Sequence, residues 1–322
     1  MQRRRAVLRL ITWAVLLIAV AAHAAFEDLW GGARLLGMGG VGVAIAGDAD
    51  GLWTNPAALT RPSASDQALI EKRHLLTMSY AALYPGLSDG SQLGQFVAGY
   101  LLGLGEPQSA GVGWKRTFAA GLYREDVLTL GLSRRIPTGE KDQIGRLSLG
   151  LLLRLLQWDL APIVAPSGDV LEDLTGPVRL DLSLGLAYLL GISEEGQVPV
   201  AVAIHHLTTP NVAASADYQE LLPVRVVIGI GSERTRTRWG LDVGLSQQTV
   251  DVRLGIEQAV VPDRFYARAG FRLEGLALGS NLTLGFGIAL SPETRLDYAF
   301  WFPIGTVQET WGSHRFGVVY RF

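Results

Sequence analysis

Apolar residues recur at every second position in block after block of this chain. In Arg179 to Leu190, Leu180, Leu182, Leu184, Leu186, Tyr188 and Leu190 alternate with Asp181, Ser183, Gly185 and Ala187. Val250 to Glu257 sets Val250, Val252, Leu254 and Ile256 against Asp251, Arg253, Gly255 and Glu257. Arg264 to Glu274 and Asn281 to Leu290 repeat the pattern. A period of two is strand geometry, because successive strand side chains point to opposite faces. One face of each block is apolar; the other carries charge and glycine.

A soluble sandwich would alternate in the same way. Three features favour a membrane barrel: segment length, their number in series, and aromatic placement. The blocks are close to ten residues, the length a tilted strand needs to cross a bilayer. They lie at about 74–85, 94–103, 109–118, 126–136, 146–159, 179–190, 198–208, 222–232, 237–247, 250–259, 264–274, 281–290, 294–302 and 314–322. The expected fold is all-β: a transmembrane antiparallel β-barrel of about fourteen strands. An even number returns both termini to the periplasm, so odd-numbered connections face outward and should be longer. Connections 160–178, 209–221 and 303–313 fit, as do the short even ones 260–263 and 291–293, whereas 248–249 is a tight outer turn. Trp114, Tyr123, Trp158, Trp239 and Tyr266 fall near strand ends, where aromatic girdles lie.

The N-terminus reads as an export signal. Arg3, Arg4 and Arg5 precede the apolar run Leu10 to Val20, and Ala22-His23-Ala24 supplies the small-residue cleavage pattern. The expected organisation is a cleaved signal at 1–24, an N-terminal hatch or plug at 25–73 and an outer-membrane barrel at 74–322. After Val20 no apolar run approaches the roughly 18 residues of a transmembrane helix. Loss of the signal removes four arginines and no acidic residue, taking the formal charge from −2 to −6. That balance argues against a nucleic-acid partner. The absence of cysteine excludes a disulfide scaffold and a thiolate metal site.

Gly37, Gly39 and Gly42 spell G-x-G-x-x-G within "GARLLGMGGVGVAIAGDADGLWTNPAAL", Gly32 to Leu59. A dinucleotide site would need a strand just before these glycines inside a βαβ unit. Here the signal precedes them, so the glycines read as steric. Asn55 before Pro56 is biased away from helix and can bond its own backbone, marking a tight stop. Val41 to Ala46 reads as a short strand or helix.

This stretch resembles the N-terminal signature of the FadL-like outer-membrane transport superfamily, above all its shorter PorV/PorQ-type members. The matching residues are Gly32-Ala33-Arg34, Leu36-Gly37-Met38-Gly39-Gly40, Asp48-Ala49-Asp50 and Asn55-Pro56-Ala57. The resemblance implies a fourteen-stranded barrel whose N-terminal segment folds back inside as a hatch, placing Gly37, Met38, Gly39, Gly40, Asp48, Asn55, Pro56 and Ala57 in that hatch. The chain's end resembles the β-signal read by the barrel-assembly machinery: Phe316, Val318, Tyr320 and Phe322 alternate, and the chain stops on Phe322.

Little in the sequence points to catalysis, to a cofactor or to a metal. His205 and His206 are adjacent, so on a strand they would point to opposite faces. His206-Leu207-Thr208 has the spacing of a base and nucleophile but offers only threonine. The charged positions expected to face the lumen are Asp181, Arg225, Asp242, Asp251, Arg253, Glu257, Arg268, Arg272 and Asp297. Two functions follow from the resemblance. One is passive transport of hydrophobic small molecules across the bacterial outer membrane, gated by the hatch. The other is a PorV-type accessory that binds or shuttles secreted proteins. The expected partners are outer-membrane lipids, the assembly machinery, and one of those two cargoes.

Overall fold

The computed structural model describes residues 26, 31–60, 74–88, 90–105, 107–136, 147–164, 170–172, 175–193, 196–214, 218–247, 249–274, 279–305, 307 and 310–322. The expected signal at 1–24 lies outside the described residues, as does 61–73 of the expected hatch.

The strands are β1 His74–Leu83, β2 Leu93–Gly105, β3 Gln108–Ala119, β4 Tyr123–Ile136, β5 Leu147–Leu160, β6 Ile163–Val164, β7 Val170–Glu172, β8 Arg179–Ser193, β9 Gly196–His205, β10 Arg225–Arg234, β11 Thr237–Ser246, β12 Val250–Val261, β13 Phe265–Glu274, β14 Ser280–Ala289, β15 Thr294–Ile304 and β16 Ser313–Arg321. All but β6 and β7 form one closed antiparallel barrel of fourteen strands, in which β16 pairs with β1. The pair β6–β7 is a small separate sheet in the fifth barrel connection, which the alternation did not show. Closure leaves no strand edge, so the ladder satisfies the backbone internally, as a bilayer requires.

The alternation sorts into wall faces. Leu130, Leu184, Ile228, Leu254 and Leu284 are exposed on the outside, at 50%, 46%, 50%, 51% and 59%. An apolar exterior on a closed barrel is the surface of an outer-membrane protein, with the polar face turned inward. On β3 the apolar band gives way to charge. The Trp114 indole donates to Asp126 at 2.8 Å, and Arg116 donates to the two oxygens of the same carboxylate at 2.8 and 2.9 Å. An indole with its ring in the band and its N–H on a polar rim is typical of a membrane interface.

Three of the expected girdle residues lie elsewhere. Tyr123 and Trp158 belong to a cluster inside the barrel. Tyr266 shares the face of buried Arg268, two positions on. Position near a strand end does not decide the face; parity within the strand does.

Candidate functional site in the barrel lumen

Residues 31–60 pack against the inner wall. Ala33–Gly37 forms one short helix, α1. Met38 to Gly40 then turn the chain, with Gly39 and Gly40 at φ +70° and +79°, which suits glycine. Val41 to Ala46 forms neither strand nor helix; it is a series of turns, with the Ala46 amide donating to the Gly42 carbonyl at 3.0 Å. Its other polar groups are met by the wall and by the rest of the segment rather than by a regular ladder, as where Val41 N donates to the Met38 carbonyl at 3.3 Å and Val43 N to Asp242 at 3.0 Å. Asp48 caps the 3-10 turn Ala49–Leu52 by accepting from the Asp50 amide at 3.0 Å. Asn55 ends the approach: its Oδ1 accepts from Ala57 N at 3.0 Å and its Nδ2 donates to the Val43 carbonyl at 2.9 Å. A second 3-10 turn follows, Pro56–Thr60.

The wall makes room for this segment with paired glycines. Gly231, Gly240, Gly255 and Gly270 lie side by side across β10 to β13. A Cβ on Gly255 or Gly270 would run into the Met38–Gly39 backbone, and one on Gly240 into Val41. Further round the wall, Gly150 and Gly185 pair between β5 and β8. There a Cβ would strike Pro56 or Asn55. The G-x-G-x-x-G glycines are thus packed against protein. A Cβ on Gly39 would lie 2.9 Å from Leu254 O, Phe271 N and Phe271 O.

Charge fastens the segment. Glu257 is buried and receives Arg34 at 3.1 and 3.2 Å, Arg238 at 3.2 Å and Arg268 at 2.6 Å. Arg34 also reaches Asp48 at 3.3 Å. Arg268 continues to Asp297 at 2.8 Å, which Arg295 meets at 2.9 Å. Asp242 accepts from the Gly42 and Val43 amides at 2.8 and 3.0 Å. A carboxylate on two successive backbone N–H groups holds a turn that has no ladder of its own.

Of the remaining charged positions, Asp251 lies between Arg225 at 2.5 Å and Arg253 at 2.7 Å, and Arg272 pairs with Glu274 at 2.9 Å. Asp181 lies 3.6 Å from Arg154. Thus Asp242, Glu257 and Arg253, which reaches the Gly40 carbonyl at 3.4 Å, touch the luminal segment directly. The structure corrects the histidine geometry. Strand pairing ends at His205, and His206 turns at φ +56°. Both rings therefore lie over β8, 6.4 Å apart: His205 against Ser183 at 3.3 Å and His206 against Asp181 at 3.1 Å. Ser183 is fully buried and takes a hydrogen bond from Arg154 at 3.1 Å. That network fills the wall and leaves the hydroxyl no access to a substrate.

Apolar clusters lie among these charges, and one of them forms a recess for Phe26. Val127 of β4, Leu156 and Trp158 of β5, and Val212 and Leu222 of the 206–224 connection enclose the Phe26 ring, with Tyr123 packed against them. The Trp158 indole donates to the Val212 carbonyl at 2.8 Å, fastening the connection over the recess. Only Trp158 and Tyr123 among these stood out in the sequence. The recess depends on a loop folding over two strands, which alternation does not encode.

No protein-family model matches this chain, and no curated protein matches it. Solved structures do. The monoaromatic hydrocarbon channel CymD aligns with a TM-score of 0.62 at 15% identity, over 92% of this chain and 99% of that one. The Pseudomonas putida toluene transporter TodX aligns at 0.58 and 14%, over 92% and 99%. A Pseudomonas aeruginosa FadL homologue aligns at 0.58 and 14%, over 93% and 100%. At these identities the likeness is one of fold: the closed antiparallel barrel of fourteen strands.

Proposed function

We propose that this protein passes small hydrophobic molecules through the outer membrane, and that segment 31–60 is the hatch that gates their path. The observation that carries the reading is the recess around Phe26: an apolar cluster of wall and loop side chains in which one aromatic ring of the N-terminal stretch is buried. A pocket that accepts a phenyl ring offers a neutral aromatic guest the same contacts, with burial of apolar area as the driving force. The hydrocarbon channels of like fold support this substrate class. A recess for a single ring suits a small molecule better than a secreted polypeptide, so the accessory reading gains nothing from it. Kinship with the shorter PorV/PorQ-type barrels rests on the Gly32 to Ala57 resemblance and leaves the proposal unchanged.

The test is binding and uptake of a monoaromatic probe such as toluene. Phe26→Ala should vacate the recess and strengthen toluene quenching of tryptophan fluorescence, and Trp158→Ala should abolish that quenching. Toluene that leaves the emission of both wild type and Phe26→Ala unchanged would count against the recess as a ligand site.

A further inference from the structure

A small cavity of about 20 Å³ lies at the first residues of segment 31–60, lined by Gly32, Arg34, Asp48, Asp50, Arg295 and Asp297 among others. It has room for about one water molecule. Asp50 holds the backbone at Gly32. Its Oδ1 accepts from the Gly32 amide at 2.7 Å, while the preceding carbonyl, Gly31, accepts from Arg315 of β16. The Gly31–Gly32 backbone is therefore pinned on one side by a buried carboxyl of the segment itself and on the other by a cation of the wall.

The groups facing Asp50 are mixed in sign. Asp48 and Arg34 come from the same segment, Arg295 and Asp297 from β15, and Arg315 from β16. Lys115 of β3 reaches the neighbouring Trp53 ring at 5.6 Å. Strands β1 and β2 contribute only uncharged residues to this corner, Thr77, Met78, Ser79, Gln95 and Val97. Arg34 is shared with Glu257, Asp297 is held by Arg268 and Arg295, and Arg315 also donates to Gln95. Asp50 thus lies beside two other carboxylates, and the cations around it are divided among several partners.

We propose that Asp50 is a proton-loaded latch: the neutral carboxyl suits the seated segment, and ionisation loosens it. This inference rests on the gating reading above. Burial first, and then the neighbouring Asp48, push the Asp50 carboxyl up to about 7, against the Gly32 hydrogen bond and Arg34, which pull it down. In a released segment the group would return to the ordinary aspartate range near 4. The seated form therefore binds the extra proton. Its advantage is complete below about pH 4 and is lost as the pH rises toward about 7, by up to tenfold in the equilibrium per pH unit.

The experiment is conductance of the purified protein in planar bilayers from pH 4 to 8, beside three variants. Wild type should conduct more as the pH rises toward 7 and then level off. Asp50→Asn, neutral at every pH and still able to accept from Gly32, should conduct little and show no such rise. Asp48→Asn should move the rise to lower pH, because the repulsion that lifts the Asp50 carboxyl is gone. The latch is overturned if wild type is flat with pH, or if Asp50→Asn keeps the wild-type profile. Should Asp50→Asn not assemble, an Asp48→Asn profile that coincides with wild type overturns it. Deletion of residues 32–59 separates the two ideas. If the deletion conducts more while wild type is flat, only the latch fails; if the deletion changes nothing, the gating reading fails with it.

Discussion

Arg34 of the luminal segment donates twice to Glu257 of β12, at 3.1 and 3.2 Å, across 223 positions of chain. Glu257 is also where Arg238 and Arg268 meet, so one carboxylate joins segment to wall and wall to wall. Glu257→Gln should leave buried cations short of a counter-charge, a loss on the order of 3–5 kcal/mol. The strand ladder is untouched by the change. We expect a barrel that still forms, with a lower unfolding midpoint in denaturant and faster protease cleavage within 31–60. Unchanged cleavage would show that the Arg34–Glu257 pair does not hold the segment.

Gly39 faces the wall backbone, and its own φ is positive. Gly39→Leu has nowhere to place its side chain, since even the Cβ would lie 2.9 Å from Leu254 O, Phe271 N and Phe271 O. The expected outcome is a sharp fall in folded, heat-modifiable barrel on a gel. A variant that assembles at wild-type yield would mean that Met38 to Gly40 sits away from the wall.

How much of this was legible in the sequence follows from what period two can and cannot encode. It gives the face of each side chain, so the apolar exterior, the charged interior and all fourteen barrel strands could be read directly. It does not give register. That Gly231, Gly240, Gly255 and Gly270 form one row, or that Gly150 and Gly185 seat Asn55 and Pro56, depends on which residue of one strand opposes which of the next. Loops are harder still. The turns of Val41 to Ala46 are shaped by Asp242, 199 positions from Val43, and no local propensity announces such a partner. Phe26 and the 206–224 connection complete the recess only in three dimensions, which is why Tyr123 and Trp158 read as girdle residues. His206 leaves the alternation because the strand stops at His205, three residues short of the end its apolar pattern suggests.

Phe322 ends the chain against the start of the barrel. Its ring stacks on His74 at 5.1 Å, and the two residues exchange backbone hydrogen bonds at 3.2 and 3.0 Å. We predict that Phe322→Ala lowers insertion into the outer membrane and raises periplasmic degradation. His74→Ala should leave insertion close to normal but lower the unfolding temperature of the closed barrel. If both variants insert and melt like wild type, the terminal ring serves neither recognition nor closure.

Asn55 and Pro56 hold the far end of the segment on the Gly150–Gly185 seat. Replacing both by alanine removes the Val43 bond and the fixed ring while keeping the wall intact. The expected result is a folded barrel with a modest rise in bilayer conductance. A silent double variant would place the restraint with Glu257 and Asp242 instead.

The central claim is that residues 31–60 close a path through the barrel, and deletion of Gly32 to Leu59 tests it most directly. No barrel strand lies in this stretch, so the ladder keeps every strand. The account predicts a folded, heat-modifiable barrel with conductance in planar bilayers clearly above wild type, and greater than that of the Asn55/Pro56 double variant. A deleted barrel that folds and conducts no more than wild type would contradict it.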